Sequence, residues 1–442
     1  MSLPPDPATR IPDTRSMNLK QLGSGRMLSP VMLNSKRPFH LMSKPAGPDC
    51  NLDCTYCFYL EKEAIFQEQK VHRMSDEVLE AYIKQYCESQ NTPEILFAWQ
   101  GGEPTLMGVE FFEKAVALQK KYSAGRPVQN AFQTNGTLID NDWCKFLAKE
   151  KFLIGLSLDG PRHIHDKFRV DRGGNPTFDK VMKALKLMKA HRVEFNTLTC
   201  VTRQNAKHAV EIYEFLKSTG STFLQFIPII ERKPDDAAER LGLKLALPPD
   251  LVADDTDERV MPWTVQPKQY GQFLIDIFDK WVRHDVGTVF VQMFDVMLNA
   301  WMGMPPPLCI FSEKCGNAMI IEYNGDIYSC DHFVYPDYNL GNILETPMSE
   351  LAQTEKQIQF GDDKLDKLPK QCLNCDVRFA CNGECPKHRF MHTADGEPGL
   401  SWLCEGYKMF LHHIDPYMKT MAQLLRENRP CADIMTMVPP KK

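Results

Sequence analysis

Three cysteines near residue 50 have a spacing that suits an iron–sulfur cluster with one open iron. Residues 50–57 read CNLDCTYC, so Cys50, Cys54 and Cys57 follow a C-x3-C-x2-C pattern. Four thiolates normally hold a four-iron cluster, and three leave one iron free. A zinc loop is the alternative, although zinc sites more often use paired C-x2-C units from two loops. The spacing therefore favours a cluster whose open iron binds something other than protein.

Eight more cysteines lie in the last third of the chain. They are Cys309, Cys315, Cys330, Cys372, Cys375, Cys381, Cys385 and Cys404. Eight thiols are enough for two fully ligated four-iron clusters. Two zinc sites of four thiolates each are the alternative, which spacing alone does not exclude. The remaining four cysteines, Cys87, Cys144, Cys200 and Cys431, are interpreted as ordinary buried or surface thiols.

A glycine pair follows the second predicted strand, in the segment QGGEP. Gly101 and Gly102 allow the backbone to approach a ligand closely, and the Glu103 carboxylate can meet an ammonium group. A simple turn is the alternative for a Gly-Gly pair taken alone. The position after a strand favours a ligand-binding loop.

Four further residues are candidates for the functional site because they lie at or after the ends of predicted strands or next to a cysteine. Ser157 lies at the end of the fourth predicted strand, before an Asp-Gly turn, and Ile230 lies at the end of the sixth. Arg169 follows the fourth strand and has a surface ion pair as its alternative. Asp331 directly follows Cys330, where a carboxylate can act as a general base or simply form a solvated turn.

The composition excludes several classes of protein. The chain has 442 residues, of which 43% are hydrophobic and 25% charged, and this is ordinary for two or three globular domains. The net charge of −5 gives no sign of a nucleic-acid partner. No apolar run is long enough to span a membrane. Fifteen cysteines without a secretory signal favour metal binding in a reducing cytoplasm over disulfides.

Six apolar segments are predicted as strands, and helical patterns separate them. The predicted strands cover 39–44, 94–99, 128–134, 152–158, 193–201 and 222–228. One helix is predicted to begin after Ser75 as its N-cap, and others cover 109–122, 139–150, 178–191, 206–219, 268–284 and 293–302. This alternation predicts an α/β fold with a parallel sheet, whose ligand-binding loops gather at the carboxyl ends of the strands.

The chain is predicted to consist of four parts. Residues 1–38 form a polar, proline-rich flexible arm, and residues 39–304 form the α/β core. Within the core, 231–266 is predicted to be a solvated loop insertion with an acidic cluster at Asp254, Asp255 and Asp257. A second domain covers 305–425, with a β-hairpin that turns at Asn324-Gly325 and a C-terminal helix. Residues 426–442 are a tail.

Together these motifs resemble those of the anaerobic sulfatase-maturating enzymes, a radical S-adenosylmethionine (SAM) family with a C-terminal SPASM domain. The resemblance rests on CNLDCTYC, WQGGEPTL, FQTNGTLID, GLSLDGP, the pair Cys330-Asp331 and the C-x2-C-x5-C-x3-C run, and it covers roughly 39–425. It implies a partial (β/α)6 TIM-like barrel followed by a SPASM domain with cysteine-rich loops that bind clusters.

The resemblance implies three [4Fe-4S] clusters and SAM as cofactors. The first cluster would lie on Cys50, Cys54 and Cys57, with SAM on its open iron. The implied SAM contacts are Tyr56, Gly101, Ser157, Arg169 and Ile230, with Gly102 and Glu103 close by. One auxiliary cluster would use Cys309, Cys315, Cys330 and Cys385, and the other Cys372, Cys375, Cys381 and Cys404. This division is a property of the family and is not evident from the spacing.

The resemblance also implies the reaction. A 5′-deoxyadenosyl radical takes a Cβ hydrogen from a Cys or Ser in a sulfatase peptide, and Asp331 matches the family's proposed base. The product is Cα-formylglycine. The implied partners are an unfolded or nascent sulfatase peptide with a C/S-x-P/A-x-R motif and a low-potential electron donor such as flavodoxin or ferredoxin. The implied location is the cytoplasm.

Two other functions were weighed. A different SPASM peptide modifier, which makes thioether or carbon–carbon crosslinks, would share the three clusters. A non-catalytic zinc or iron–sulfur scaffold would share the cysteines but has no need for an open-site loop beside a Gly-Gly motif. The residues in GLSLDGP and the pair Cys330-Asp331 favour sulfatase maturation.

Overall fold

Strands and helices alternate along most of the chain, as predicted. The computed structural model describes residues 38–67, 70–251 and 260–438. The predicted arm and the acidic cluster Asp254, Asp255 and Asp257 lie outside the described residues, apart from Pro38. The strands are β1 His40–Lys44, β2 Ile95–Trp99, β3 Val128–Thr134, β4 Leu153–Ser157, β5 Glu194–Val201, β6 Phe223–Pro228, β7 Phe290–Val291, β8 Ala318–Glu322, β9 Asp326–Tyr328, β10 Asn339–Asn342, β11 Met391–His392 and β12 Pro398–Leu400.

The helices lie between and after these strands. They are α1 Asp76–Ser89, α2 Val109–Tyr122, α3 Asn141–Lys149, α4 Arg162–His165, α5 Phe178–His191, α6 Ala209–Ser218, α7 Asp236–Arg240, α8 Pro267–His284, α9 Gln292–Trp301, α10 Met348–Leu351, α11 Glu355–Asp366, α12 Lys370–Leu373, α13 Arg378–Cys381 and α14 Cys404–Arg426. The predicted N-cap is confirmed, since the Ser75 side chain accepts a hydrogen bond from the Val78 amide at 3.2 Å. The six predicted strands are each confirmed to within one residue at either end.

The sheet holds both halves of the molecule together. Strands β1 to β7 lie side by side in sequence order and all run parallel. Strand β8 from the second half pairs in parallel with the free edge of β1, where Lys44 is the register partner of Glu322. Strands β9 and β10 then extend the same sheet in antiparallel fashion. The predicted hairpin is confirmed, and Gly325 takes the positive φ of +92° that its turn requires.

Two glycines let the C-terminal helix α14 approach α8 closely. A methyl group on Gly271 would lie 2.5 Å from the Gly406 carbonyl oxygen, and one on Gly406 would lie 2.0 Å from the Pro267 carbonyl oxygen. Phe278 and Phe410 meet edge to face across the same contact, with ring centres 6.4 Å apart. The second half of the chain therefore packs on the barrel helices as well as on the sheet.

The first part of the insertion at 231–266 is not solvated as predicted. Ala238, Leu243 and Leu247 are buried against Phe333, Tyr335 and Tyr338 of the second half. At the base of the insertion, the Glu231 carboxylate forms an ion pair with Lys387 at 2.7 Å. The prediction was wrong because prolines and charged residues obscured a few apolar side chains that reach a distant hydrophobic surface.

In the described ranges, no helix has both the length and the apolar character to cross a bilayer.

Candidate functional site

The first cysteine loop lies at the carboxyl ends of the parallel strands and is held from two sides. On one side, the Asp53 amide donates to the Val170 carbonyl at 2.8 Å, and Leu52 bridges Asp171. On the other side, Asn135 Nδ2 donates to Asn51 Oδ1 at 2.9 Å. Protein contacts on both sides therefore hold the loop in position.

The three thiols of this loop have the chemistry of a cluster site. Burial, together with the charges of Glu103 and Cys57, raises the pKa of Cys50 to about 12. Burial also raises the pKa of Cys54 and of Cys57, and the charges of Cys57 and Cys50 both act on Cys54. Because the three thiols lie close together, a negative charge on one disfavours ionisation of the others. A bound cation is therefore needed to keep all three as thiolates, and the irons of a cluster meet this requirement.

The Gly-Gly loop after β2 packs against the first cysteine loop. A methyl group on Gly102 would lie 1.9 Å from the Asp49 carbonyl oxygen, so no larger residue fits there. Gly101 has a φ of +136°. Glu103 is fully buried, and its carboxylate accepts hydrogen bonds from Thr105, from the Thr134 hydroxyl at 2.7 Å and from the Asn135 amide at 2.8 Å. Glu103 therefore fixes this loop to the end of β3.

Tyr56 and Arg169 meet on one buried carboxylate. The Tyr56 hydroxyl donates to Asp159 Oδ2 at 2.6 Å. Arg169 donates from Nε to Asp159 Oδ2 at 3.0 Å and from Nη2 to Asp159 Oδ1 at 3.1 Å. The backbone amide of Cys200 completes the set at 2.9 Å. Asp159 thus joins two predicted cofactor contacts to the ends of β4 and β5.

Ser157 and Ile230 lie where the sequence placed them. Ser157 is the last residue of β4 and is buried. Ile230 follows β6, is buried, and lines a small pocket with Glu231, Tyr335 and Lys387. Both residues lie at the same end of the sheet as the cysteine loop.

Asp331 belongs to a group of buried polar side chains at the junction of β1 and β8. Its Oδ1 lies 2.5 Å from Lys44 Nζ. Lys44 also donates to Gln100 Oε1 at 3.1 Å. The Tyr59 hydroxyl donates to Glu322 Oε1. The carboxylate beside a predicted auxiliary ligand thereby meets the strand end that precedes the first cysteine loop.

The first four auxiliary cysteines come together around one buried lysine. Burial is the main cause of the raised pKa of Cys330 and of Cys385. The charges of Cys309 and Cys385 raise the pKa of Cys330 further, and those of Cys309 and Cys315 act in the same way on Cys385. Lys364 is fully buried and donates to the carbonyls of Cys309 at 2.6 Å, Ile310 at 2.9 Å and Ser312.

The other four auxiliary cysteines form a separate set. Burial raises the pKa of Cys381 to about 12 and that of Cys404 to about 11, and the charge of Cys372 acts on both. The charge of Cys375 also acts on Cys404. These charge interactions join Cys372, Cys375, Cys381 and Cys404 to one another, and the assignment of each set to one cluster stays a prediction.

A buried arginine lies between the two sets. Arg389 donates to the carbonyls of Gly383 at 2.8 Å, Lys364 at 2.5 Å, and Asn382 and Glu384 at 3.0 Å each. Its charge interacts with Cys385 of one set and with Cys372 and Cys381 of the other. The guanidinium fixes the backbone between the two sets and supplies positive charge to both.

One further group of possible metal ligands lies at the surface. His163, His208 and Glu211 bring three ligand atoms within 4.8 Å of one another. The two Glu211 oxygens each contact one histidine, at 3.4 Å and 2.9 Å. These ion pairs account for the arrangement without a metal.

Four members of the site were not predicted from the sequence, namely Lys44, Tyr59, Asp159 and Glu322. Asp159 was interpreted only as part of an Asp-Gly turn. Lys44 and Glu322 each lie at the end of a strand, and this position is the signal by which the sequence could have indicated them. That they lie side by side could not be predicted, because it depends on the pairing of β8 with β1.

Comparisons with known proteins agree with this geometry. The profile of the radical SAM superfamily matches residues 45–216. The profile of the SPASM iron–sulfur cluster-binding domain matches residues 309–376.

The chain is similar along nearly its whole length to proteins of known activity. It is 45% identical to the serine-type anaerobic sulfatase-maturating enzyme of Bacteroides thetaiotaomicron, over 90% of this chain and 95% of that protein. It is 36% identical to the cysteine-type enzyme of Clostridium perfringens, over 88% of this chain and 100% of that protein. The solved structure of native anSMEcpe with bound AdoMet and Cp18Cys peptide superposes with a TM-score of 0.75 at 35% identity, covering 88% of this chain and 99% of that chain. The chain therefore belongs to the anaerobic sulfatase-maturating enzymes, a family of radical SAM proteins with a SPASM domain.

Proposed function

We propose that this protein oxidises a Ser or Cys in a sulfatase peptide to Cα-formylglycine. The observation that carries the proposal is the 2.5 Å contact between Asp331 and Lys44. Asp331 directly follows Cys330, and the contact joins its carboxylate to Lys44 at the end of the strand that leads into the first cysteine loop, which supports the proposal. Hydrogen abstraction, proton removal and electron removal can then occur at one place.

We propose a site residue for each cofactor contact. Cys50, Cys54 and Cys57 hold the first cluster. The SAM contacts are Tyr56, Gly101, Ser157, Arg169 and Ile230, with Gly102 and Glu103 supporting the loop. The auxiliary clusters use Cys309, Cys315, Cys330 and Cys385, and Cys372, Cys375, Cys381 and Cys404. When bound, the clusters and SAM supply the radical that takes the Cβ hydrogen and the acceptor for the remaining electron.

The chain's own residues exclude water and move the proton. Asp331 accepts the proton of the substrate hydroxyl or thiol as a general base. The side chains around it, such as Tyr59, Phe333 and Glu322, are buried, so a radical formed among them is shielded from solvent. A Ser substrate loses one hydrogen atom, one proton and one electron, and this leaves the aldehyde. A Cys substrate loses the same set and then exchanges sulfur for oxygen with water.

The proposed partners follow from this chemistry. The substrate is an unfolded or nascent sulfatase peptide with a C/S-x-P/A-x-R motif, because the reacting side chain must enter an enclosed site. A low-potential electron donor such as flavodoxin or ferredoxin reduces the first cluster. The proposed location is the cytoplasm. Residues 39–304 are proposed as the barrel unit and 305–425 as the SPASM unit.

An anaerobic assay tests the proposal directly. The reconstituted enzyme, SAM and dithionite are incubated with two short peptides that differ only in Ser or Cys at the target position. Mass spectrometry is expected to show aldehyde together with 5′-deoxyadenosine. The higher identity to the serine-type relative makes the Ser peptide the first to test. SAM cleavage with neither peptide changed would point to the other SPASM peptide modifiers instead.

Metal analysis separates the enzyme from a scaffold. Three clusters require about twelve irons and as many sulfides per chain. Zinc without sulfide would support a scaffold and contradict the proposal.

A further inference from the structure

Lys44 is a buried cation at the point where three parts of the molecule meet. Its side chain is 2% exposed. Its Nζ lies 2.5 Å from Asp331 Oδ1, 3.1 Å from Gln100 Oε1 and 4.2 Å from the centre of the Tyr59 ring. These partners come from the SPASM region, the end of β2 and the first cysteine loop. A buried ammonium group is costly unless it is paired, so this nitrogen requires a carboxylate partner.

Two carboxyl groups lie near Lys44, and of the carboxyl groups that the structure describes only that of Asp331 contacts the Lys44 Nζ. Glu322 is its register partner on β8, but Glu322 Oε1 accepts from the Tyr59 hydroxyl, and Oε2 has no hydrogen-bond partner among the described residues. Burial, with the nearby charge of Asp331, raises the pKa of Glu322 to about 7. The direct counter-ion of Lys44 is therefore Asp331.

The contact uses one defined oxygen of Asp331. Oδ1 is buried and faces Lys44, whereas the Asp331 side chain as a whole is 22% exposed. Oδ1 forms the ion pair with Lys44 but accepts no hydrogen bond among the described residues, and the accessible part of the Asp331 side chain is open to a substrate. Gln100 in turn donates to Gln133 Oε1 at 2.6 Å, so the lysine is itself anchored to a row of strand ends.

We infer that Lys44 is a positioning residue for the reaction, whose ammonium group holds the Asp331 carboxylate toward the substrate hydroxyl or thiol. The inference rests on the proposed function. The proton passes from the substrate to Asp331, and Lys44 holds that carboxylate in place. Lys44 therefore acts on the deprotonation step and not on the formation of the radical.

The test is Lys44→Met, which keeps the length of the side chain and removes its charge. The reconstituted variant is expected to keep its iron, cleave SAM and move deuterium from a Cβ-deuterated Ser peptide into 5′-deoxyadenosine. Its aldehyde yield per 5′-deoxyadenosine is expected to fall about 10- to 100-fold, as for a misplaced catalytic group. An unchanged ratio of the two products would overturn the inference.

A control and a second variant separate positioning from folding. Lys62→Met removes another buried cation, which pairs with Glu61 at 3.7 Å and acts on Asp331 only through its charge, so it separates the direct contact of Lys44 from the general effect of a nearby positive charge. It is expected to keep the wild-type product ratio. Lys44→Gln, which can still hydrogen bond to Asp331, is expected to lose less aldehyde than Lys44→Met. If both Lys44 variants lose iron or SAM cleavage, Lys44 is structural and the inference fails.

A double-mutant cycle tests the pair both with substrate, by product ratio, and without substrate, by melting temperature. Lys44→Met, Asp331→Asn and the double variant are compared by product ratio and by melting temperature under anaerobic conditions. If Lys44 and Asp331 act together, the double variant has the same product ratio and melting temperature as Asp331→Asn alone. If the losses of the two single variants add up in the double variant, the two residues act independently and the inference is wrong. If the wild type makes no aldehyde, the proposed function fails. The melting temperatures then still test the Lys44–Asp331 pair by themselves.

Discussion

Asp159 accepts hydrogen bonds from four donors, and its carboxylate is the counter-ion of the buried Arg169. Asp159→Asn leaves that guanidinium buried without a negative partner. Breaking a buried pair from one side costs about 3–5 kcal/mol. We therefore expect a large loss of thermal stability and weakened SAM binding, measured by anaerobic melting and equilibrium dialysis.

The matched control is an exposed pair elsewhere on the barrel. Asp179 accepts from Arg162 at 2.7 Å, and both side chains are mostly exposed. Asp179→Asn is expected to change the stability by at most about 1 kcal/mol and to leave SAM binding unchanged. Equal effects of the two substitutions would mean that Asp159 does not organise the cofactor site.

The individual residues also show where sequence reasoning ends. The cysteines and the Gly-Gly pair could be identified because their chemistry is specific to their spacing. The role of Asp159 could not, since an Asp-Gly pair is equally typical of a turn. The four donors that converge on it come from three separate segments, and no local pattern records that convergence.

Among the elements, α8 and α14 show how small residues determine packing. Gly271→Ala would place a methyl group 2.5 Å from the Gly406 carbonyl oxygen and so force the two helices apart. Overpacking of this kind costs about 1–3 kcal/mol, and we expect faster hydrogen exchange in α14. Gly173→Ala is the control, because its methyl group would meet the side chains of Asn175 and Asp171 and no backbone atom within 4 Å among the described residues. Similar exchange in both variants would contradict the expected packing.

Helix α9 contains a carboxyl group whose environment predicts a pH effect. Burial raises the pKa of Asp295 to about 7 from an ordinary value of 3.8. The unfolded chain releases this proton at a lower pH than the folded protein. Asp295 therefore lowers the free energy of unfolding as the pH rises from about 4 to about 7. Asp295→Asn removes this destabilisation, because asparagine carries no charge at any of these pH values. The variant is expected to gain on the order of 2 kcal/mol over the wild type at pH 8 and almost nothing near pH 4.

Denaturant unfolding of both proteins across this pH range measures the difference. Asp142→Asn is the control, because Asp142 is exposed and its pKa is lowered by the Lys145 side chain. It is expected to show no gain at high pH. If the difference in free energy of unfolding between Asp295→Asn and the wild type stays constant with pH, the raised pKa of Asp295 is refuted.

Most elements could be predicted because their apolar periodicity is local. The partner of β1 could not be predicted, since pairing between β1 and β8 joins segments that are far apart in sequence. The burial of Ala238, Leu243 and Leu247 was missed for a similar reason. Their contacts lie in the second half of the chain, and their own neighbourhood is polar.

At the scale of the whole molecule, the continuous sheet means that the two halves are not independent. Without β8, the edge of β1 would lose its backbone partner, and Lys44 would lose Asp331. We expect a chain ending at residue 304 to be insoluble or to lack a cooperative melting transition. Expression of this fragment, with size-exclusion chromatography and thermal melting, checks the prediction. A soluble fragment with a sharp transition would contradict it.

The pairing of β1 with β8 also has a consequence for biosynthesis. Lys44 leaves the ribosome long before Glu322 and Asp331, so the strand that begins the barrel must wait with an open edge until most of the chain has been made. Closing so long a segment is slow compared with forming the local strand–helix units. The nascent barrel therefore depends on protection from edge-to-edge aggregation during translation, and the reaction chamber is completed only late in synthesis.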